Sequence, residues 1–207
     1  MLRVLSASEM RRVDGHAIQS VGIPGAVLME SAGRSVFAEI RRREGSLTGL
    51  KTAVFCGPGN NGGDGFVVAR YLKLAGAAVD LFLVGAREPK SEDASRNWRI
   101  LRKMGLEART IRNPRNVKEL STPAGGWDFV VDALFGTGLE RPLKSPHSDV
   151  VNRINSLRRP VYSVDLPSGL HTDTGAVLGT AVQATVTITL GFKKRGFFVG
   201  DGPGLAG

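Results

Sequence analysis

The sequence predicts an α/β fold in which helices cover both faces of a mostly parallel sheet. Short apolar segments rich in β-branched and aromatic residues alternate along the chain with longer segments of helical periodicity. This alternation is typical of parallel strands joined by helical crossovers and buried on both faces. The chain has 207 residues, of which 42% are hydrophobic and 23% charged, and these values suit one globular domain with a large core.

The elements follow one another in a regular order. Ser6 and Glu9 have the spacing of a capping box, which predicts a helix at 7–19. A second helix at about 24–43 begins near Pro24, a residue that suits the first turn. Strands are predicted at 53–56, 79–84, 107–111, 129–134, 161–166 and 184–190, and further helices from Phe66, at 91–104, within 114–126 and at 149–157. The last residues, 200–207, are predicted to form turns with no closing strand or helix.

A glycine-rich stretch, GPGNNGGDG, lies between the strand that ends at Cys56 and the helix predicted from Phe66. We expect its glycines to adopt positive φ and to bring the backbone close to an anion at the helix N-terminus. The match to G-x-G-x-x-G is weak by itself, and a plain tight turn would also produce it. Asn60, Asn61 and Asp64 add oxygen atoms that suit a cation or a ribose.

Two other predicted strands end in similar loops, and both carry an aspartate in apolar surroundings, Asp132 and Asp165. Because ligands bind outside the carboxyl ends of parallel strands, we expect the three loops to form one site. Each aspartate either accepts backbone hydrogen bonds or acts chemically, one as a cation ligand and the other as an acid or base. Asn61, Asp132 and Ser168 would give an all-oxygen shell with a single firm carboxylate, which suits K⁺ better than Ca²⁺, zinc or copper.

Composition and charge argue against several other functions. The net charge of +9 suits anionic small molecules, and the basic groups at 41–43, 99–103 and 193–195 lack the interleaved aromatics of a nucleic-acid platform. We therefore do not expect nucleic-acid binding. No apolar run approaches the roughly 20 residues of a membrane span, and no signal peptide is evident, so we expect a cytoplasmic protein. The single cysteine, Cys56, fits a reducing compartment and the role of a small buried hydrophobe.

Other enzyme classes lack their usual residues. The acid expected about 20 residues after a dinucleotide fingerprint would be Asp80, but it lies inside a predicted strand, which argues against a dinucleotide-dependent oxidoreductase. Ser168 lies in P-S-G-L and not in a nucleophile elbow. His171 follows near the expected site, and we assign it a surface or packing role.

Four motifs together resemble the YjeF N-terminal domain family, the NAD(P)H-hydrate epimerases. They are GPGNNGGDGFVVARYL, VDALFGTGLERP, VDLPSGL with a following TG, and TVTITLGFKKRGF. The opening segment, EMRRVDGHAI to GIPGAVLMESAG, is similar to the family's first helices. The resemblance implies a three-layer α/β/α sandwich with a Rossmann-like sheet. It also implies one domain at 1–207, without a dehydratase domain and lacking the family's last strand.

The resemblance further implies an isomerase that interconverts the R and S forms of NADHX or NADPHX, hydrated and damaged forms of the nicotinamide cofactor. A K⁺ ion would be held by Asn61, Asp132 and Ser168, and Asp165 would be the catalytic residue beside the reacting ring. The implied substrate-binding residues are Asn60, Asn61, Gly62, Gly63, Asp64, Gly136, Thr137, Gly138, Leu139, Glu140, Arg141, Pro142 and Asp165. The expected partners are a second copy of the chain and an ADP- or ATP-dependent dehydratase. The alternative is a non-catalytic scaffold of the same fold that binds RNA or protein.

Overall fold

The structure is a computed structural model that describes residues 3–120 and 122–207. Its helices and strands alternate as the sequence predicts. In chain order they are β1 (Val4–Leu5), α1 (Ala7–Gln19), α2 (Gly25–Glu44), β2 (Lys51–Cys56), α3 (Asn60–Leu74), β3 (Ala78–Val84), α4 (Glu92–Lys103), β4 (Ala108–Ile111), α5 (Pro114–Lys118), β5 (Phe129–Ala133), α6 (His147–Ser156), β6 (Val161–Val164), β7 (Val186–Ile188), β8 (Lys193–Lys194) and α7 (Gly202–Leu205).

A six-stranded sheet forms the central layer, in the order β4-β3-β2-β5-β6-β7, and every neighbouring pair is parallel. Helices α2, α3 and α4 pack on one face, and α5 and α6 pack on the other. Alternate residues of β2 serve the two faces, with Val54 and Cys56 in the first core and Ala53 and Phe55 in the second. The predicted three-layer α/β/α sandwich is confirmed.

Cys56 is fully buried at the end of β2, where burial raises the pKa of its thiol. A raised pKa keeps the group in its unreactive thiol form. The cysteine therefore packs as a small hydrophobe, as predicted.

The prediction for the glycine-rich stretch is wrong in one respect. Helix α3 begins at Asn60 with Gly59 as its N-cap, so most of the predicted loop forms the first turns of a helix. The positive-φ glycines in the described part of the chain lie outside this stretch. A Cβ at Gly62 would collide with the carbonyl oxygen of Gly57, and one at Gly63 would lie 2.5 Å from the Met29 side chain. Close packing, and not a special backbone conformation, explains these glycines.

The C-terminal prediction is also wrong, because α7 occupies part of the segment expected to form turns. The sequence analysis missed β1 and β8 as well, which pair in parallel and join the start of the described chain to residues near its end. Two-residue strands show no periodicity, so sequence patterns do not reveal them.

Helices in the described residues are all too short or too polar to cross a membrane.

The helical glycines give a stability prediction. A methyl group at Gly65 would lie 2.5 Å from the Ala133 Cβ and 2.7 Å from the Cys56 Sγ, at the contact between α3 and the sheet. We expect Gly65→Ala to lower the free energy of unfolding by about 1–3 kcal/mol through overpacking. Urea unfolding followed by circular dichroism measures this change.

The matched control is Gly15→Ala in α1, where an added Cβ meets no atom of residues 3–120 or 122–207 within 4 Å. That substitution should stabilise the protein by up to about 1 kcal/mol, because alanine is the better helix former. Equal effects at the two glycines would contradict the packing explanation.

Candidate active site

A cavity of about 840 Å³ opens at the carboxyl ends of the central strands. The N-terminus of α3, the loop after β5 and Asp165 after β6 form its floor, and α1, the start of α2 and residues 189–191 form its sides. Strands β2, β5 and β6 are neighbours in the sheet, so the structure brings the three loops together. The volume lies within the range of ordinary small-molecule sites.

The structure divides the residues singled out from the sequence into four groups. The first group lines the cavity and comprises Asn60, Asn61, Asp64, Gly136, Thr137, Gly138, Leu139 and Asp165. Gly62 and Gly63 are buried within α3 and serve its packing. Glu140, Arg141 and Pro142 are exposed beyond Leu139, outside the cavity wall. Asp132 and Ser168 lie buried beneath the floor.

Asp132 is held by four hydrogen bonds. Its carboxylate accepts from the Ser168 hydroxyl at 2.6 Å, the Ser168 N–H at 2.9 Å, the Ser163 hydroxyl at 2.8 Å and the Leu134 N–H at 3.3 Å. Burial raises the pKa of Asp132, and these hydrogen bonds act in the opposite direction. Within residues 3–120 and 122–207 no cationic side chain pairs with this carboxylate. It is therefore a buried group whose negative charge has donors but no counter-ion.

The donor set around Asp132 fits a monovalent cation. The Ser168 hydroxyl oxygen lies 3.2 Å from the Phe135 carbonyl oxygen, so a carboxylate, a hydroxyl and a carbonyl lie close together. Among the described residues, the Asn61 amide nitrogen is buried without a hydrogen-bond partner, and turning that amide would put its oxygen in the position of the nitrogen. Groups of three or more His, Cys, Asp or Glu side chains that could hold a metal ion are absent from the described residues. The arrangement thus favours a weakly charged ion with oxygen ligands.

Asp165 follows β6 in a left-handed conformation, with φ of 70°. Its Oδ1 accepts a hydrogen bond from the Leu190 N–H at 3.1 Å and forms an ion pair with the Lys194 ammonium. Lys194 is fully buried in β8 and also donates to the Thr189 hydroxyl and the Leu190 carbonyl oxygen, each at 2.8 Å. A buried ion pair of this kind fixes the carboxylate in one orientation.

Asp64 and Asp14 place two more carboxyl groups at the cavity. Burial, together with the negative charges of Asp165 and Asp14, raises the pKa of Asp64 well above its ordinary value. Loss of hydration and the charge of Asp165 also raise the pKa of Asp14, and Lys194 opposes this change. The cavity therefore holds several acidic groups with raised pKa values close together, a feature that is concentrated at functional sites.

Asp80 and His171 do not line the cavity. Asp80 accepts hydrogen bonds from the Trp127 Nε1 at 2.7 Å and from Arg109 at 2.8 Å, so its contacts are structural. The His171 Nδ1 accepts from the N–H groups of Asp173 and Thr174, both at 3.2 Å, and thereby shapes its own loop.

A sequence model of the family described as "YjeF-related protein N-terminus" matches residues 25–196. The chain belongs to this family.

Relatives within the YjeF-related family are of two lengths. The chain is 43% identical over 208 residues to a bifunctional NAD(P)H-hydrate repair enzyme of Thermofilum pendens, covering 100% of this chain and 39% of that protein. It is 37% identical over 205 residues to an NAD(P)H-hydrate epimerase of Limosilactobacillus reuteri, covering 99% of this chain and 92% of that one. The chain thus spans 39% of the length of its bifunctional relative and nearly all of the shorter one.

A solved structure supports the same fold. The crystal structure of a yeast protein superposes with a TM-score of 0.81 at 26% identity, over 94% of this chain and 83% of that protein.

Some cavity residues of this YjeF-related domain were not singled out from the sequence. Lys194 does not line the cavity but lies buried beneath Asp165, and the sequence analysis considered residues 193–195 only as one of several basic groups. Arg11 and Asp14 are three residues apart in α1, so they share one helix face, and both line the cavity. That spacing was visible in the sequence, but nothing in it showed which face of α1 would turn inward. Lys90, between β3 and α4, carried no periodic signal.

The raised pKa of Asp64 predicts a pH-dependent stability. Because its folded-state pKa lies above the ordinary value of 3.8, the folded state binds more protons than the unfolded state between the two values. Wild-type stability should therefore fall as the pH rises through that window. We expect Asp64→Asn to stabilise the protein at pH 7.5, by about 1.4 kcal/mol for each unit of pKa shift. That gain should shrink as the pH approaches 4.

Urea unfolding at pH 7.5 and pH 4.5 tests this expectation, with Asp201→Asn at an exposed carboxylate as the control. The control should change little at either pH. A gain from Asp64→Asn that is the same at both pH values would show that burial of its charge is not the cause.

Proposed function

We propose that this domain is an NAD(P)H-hydrate epimerase that interconverts the R and S forms of NADHX or NADPHX. The names of the relatives suggest the reaction, and the observation that carries the proposal is the orientation of Asp165 at the cavity floor. One of its oxygens is tied to Lys194 and Leu190, while the other lies beside Gly136 at the cavity wall. A carboxylate in this position is suited to give and take one proton.

Two routes would invert the carbon that carries both the ring nitrogen and the hydroxyl. In the first, Asp165 protonates the hydroxyl, which leaves as water, and the resulting iminium takes up water on its other face while a proton returns to Asp165. In the second, the hydroxyl gives its proton to Asp165, the carbon–nitrogen bond opens to an aldehyde as the nitrogen takes up that proton, and attack of the nitrogen on the other face of the aldehyde returns both protons and restores the ring. Both routes need one proton carrier. In the first route, the carboxyl groups of the cavity would also stabilise the positive charge that develops on the ring.

We also propose that K⁺ binds at Asn61, Asp132 and Ser168. Support comes from the oxygen-only donor set, the buried Asn61 amide nitrogen without a partner, and the Asp132 charge without a counter-ion. The ion would supply that counter-charge beneath the floor. The chain's own part is to hold Ser168 and the loop after β5, since the Phe135 N–H donates to the Ser168 hydroxyl oxygen at 2.9 Å.

The proposed partners are a dehydratase that consumes the S form and a second copy of this chain. The bifunctional name of the Thermofilum pendens relative supports the first, because one protein there carries a repair activity with two functions. A non-catalytic scaffold is the less favoured reading, since a binding scaffold has no need of the Asp165–Lys194 pair at an open cavity.

The function is tested with R-NADHX and an S-specific dehydratase, by following the recovery of NADH. Wild-type protein should accelerate this recovery. Asp165→Asn should lower the rate by on the order of 10²–10⁴-fold, because the proton carrier is lost. Asp201→Asn, at an exposed carboxylate, should retain the wild-type rate. Near-normal turnover by a folded Asp165→Asn protein would exclude this role.

The ion is tested in the same assay by replacing K⁺ with tetramethylammonium, which is too large for a buried oxygen shell. The wild-type rate should fall several-fold and recover when K⁺ is returned. Asp132→Asn should remove this K⁺ dependence, because the only carboxylate of the shell loses its charge. A wild-type rate that is equal in the two salts would rule out the ion's part in the reaction.

A further inference from the structure

Lys194 is an unusual lysine because no part of its side chain reaches solvent. Its ammonium has three protons and meets three oxygens: the Asp165 Oδ1, the Thr189 hydroxyl and the Leu190 carbonyl. Every donor of the ammonium is therefore used within the protein. A buried charge is retained only when it is paired and hydrogen-bonded in this way.

The partner carboxylate is divided between two environments. Oδ1 of Asp165 receives the Lys194 ammonium and the Leu190 N–H, so it is occupied from below. Oδ2 lies above Gly136, where a Cβ would be 3.0 Å from Oδ2 and 3.0 Å from the Asn61 Oδ1. The absence of a side chain at Gly136 keeps the approach to Oδ2 open.

The charges that face Asp165 come from three elements. Asp64 on α3 and Asp14 on α1 carry carboxyl groups whose pKa values are raised partly by the charge of Asp165. Lys194 on β8 is the one cation paired with Asp165 in the described parts of the chain. Arg11 and Lys90 also line the cavity, but neither pairs with Asp165 in the described residues, so Lys194 is the cation that offsets the neighbouring carboxyl groups.

We propose that Lys194 is a positioning residue for the epimerase: it holds Oδ1 of Asp165 so that Oδ2 alone exchanges a proton with the substrate. This inference rests on the proposed function. In either route the proton that Oδ2 gives to the substrate, or takes from it, is returned before the next turnover. Lys194 does not exchange a proton with the substrate itself, because its side chain is fully buried and does not line the cavity.

The chain offers a matched pair of variants in β8, since Lys193 is exposed and Lys194 is buried. Lys194→Met keeps most of the length of the side chain and removes the charge. With R-NADHX as the varied substrate, we expect kcat to fall by on the order of 10–100-fold with little change in KM, because the lost interaction orients the proton carrier. Lys193→Met should behave as wild type.

The pH profile separates positioning from a purely structural role. Removing the cation beside Asp165, with Asp14 and Asp64 still present, favours proton binding by that carboxylate. The limb of the kcat/KM profile that reports Asp165, which is the basic limb in the first route and the acid limb in the second, should therefore move to higher pH in Lys194→Met and stay in place in Lys193→Met. A loss of folded protein alone would lower the rate at every pH without moving the limb, and that result would overturn the proposal.

A stability cycle keeps the proposal testable even if Lys194→Met folds poorly. Lys194→Met should lower Tm by roughly 6–20 °C, because it leaves Asp165 as an unpaired charge. Adding Asp165→Asn to this variant should raise Tm again, since no unpaired charge then remains. A double variant no more stable than Lys194→Met would show that the ion pair is not what holds Asp165.

The two failures are distinguishable. If wild-type protein does not accelerate NADH recovery, the proposed function fails, and the Tm cycle still decides whether Lys194 holds Asp165. If wild-type protein is active and Lys194→Met retains its kcat and its pH profile, the function stands and the positioning role is wrong.

Discussion

The structure depends on keeping two aspartates charged or hydrogen-bonded at the carboxyl ends of neighbouring buried strands. Asp132 belongs to β5 and Asp165 follows β6, and both lie where water is largely excluded. An isolated carboxylate there would cost several kcal/mol. Asp132 is stabilised by two serines and backbone N–H groups, which fixes the start of the segment at Ser168, whereas Asp165 is stabilised by Lys194. The loops adopt their shapes because these groups need partners.

The glycines of α3 are the second part of the same arrangement. They let the helix approach β2, β5 and the Met29 side chain so closely that a methyl group would not fit at Gly62, Gly63 or Gly65. This approach places Asn61 and Asp64, from the first turns of the helix, against the loops that carry Gly136 and Asp165. The glycine pattern of a dinucleotide fingerprint thus arises here from helix–sheet packing. Its match to a phosphate-binding motif carries less information than the polar side chains between the glycines.

The sequence predicts the sheet and the helices well, because their periodicity comes from burial on two faces of one sheet. It also predicts that the loops after β2, β5 and β6 share an edge, because strand topology decides this. It fails where geometry depends on contacts distant in the chain. The start of α3 is misplaced, because helix propensity argues against glycine and only packing on the sheet overrides it. Lys194 is missed because a lysine pairing with an aspartate 29 residues away leaves no local pattern.

The residues of the cavity suit the proposed reaction better than they suit the stability of the fold. Three acidic side chains lie close together here, those of Asp14, Asp64 and Asp165. Asp165 also has a backbone conformation that is unfavourable for a residue with a Cβ. A binding scaffold would gain by replacing them with neutral side chains. A reaction that develops positive charge on a substrate ring gains from keeping them, because carboxyl groups already held in place need no reorganisation when the charge appears. Lys194 offsets the repulsion between these carboxyl groups without lining the cavity, so the Asp165 Oδ2 beside Gly136 remains open to the substrate.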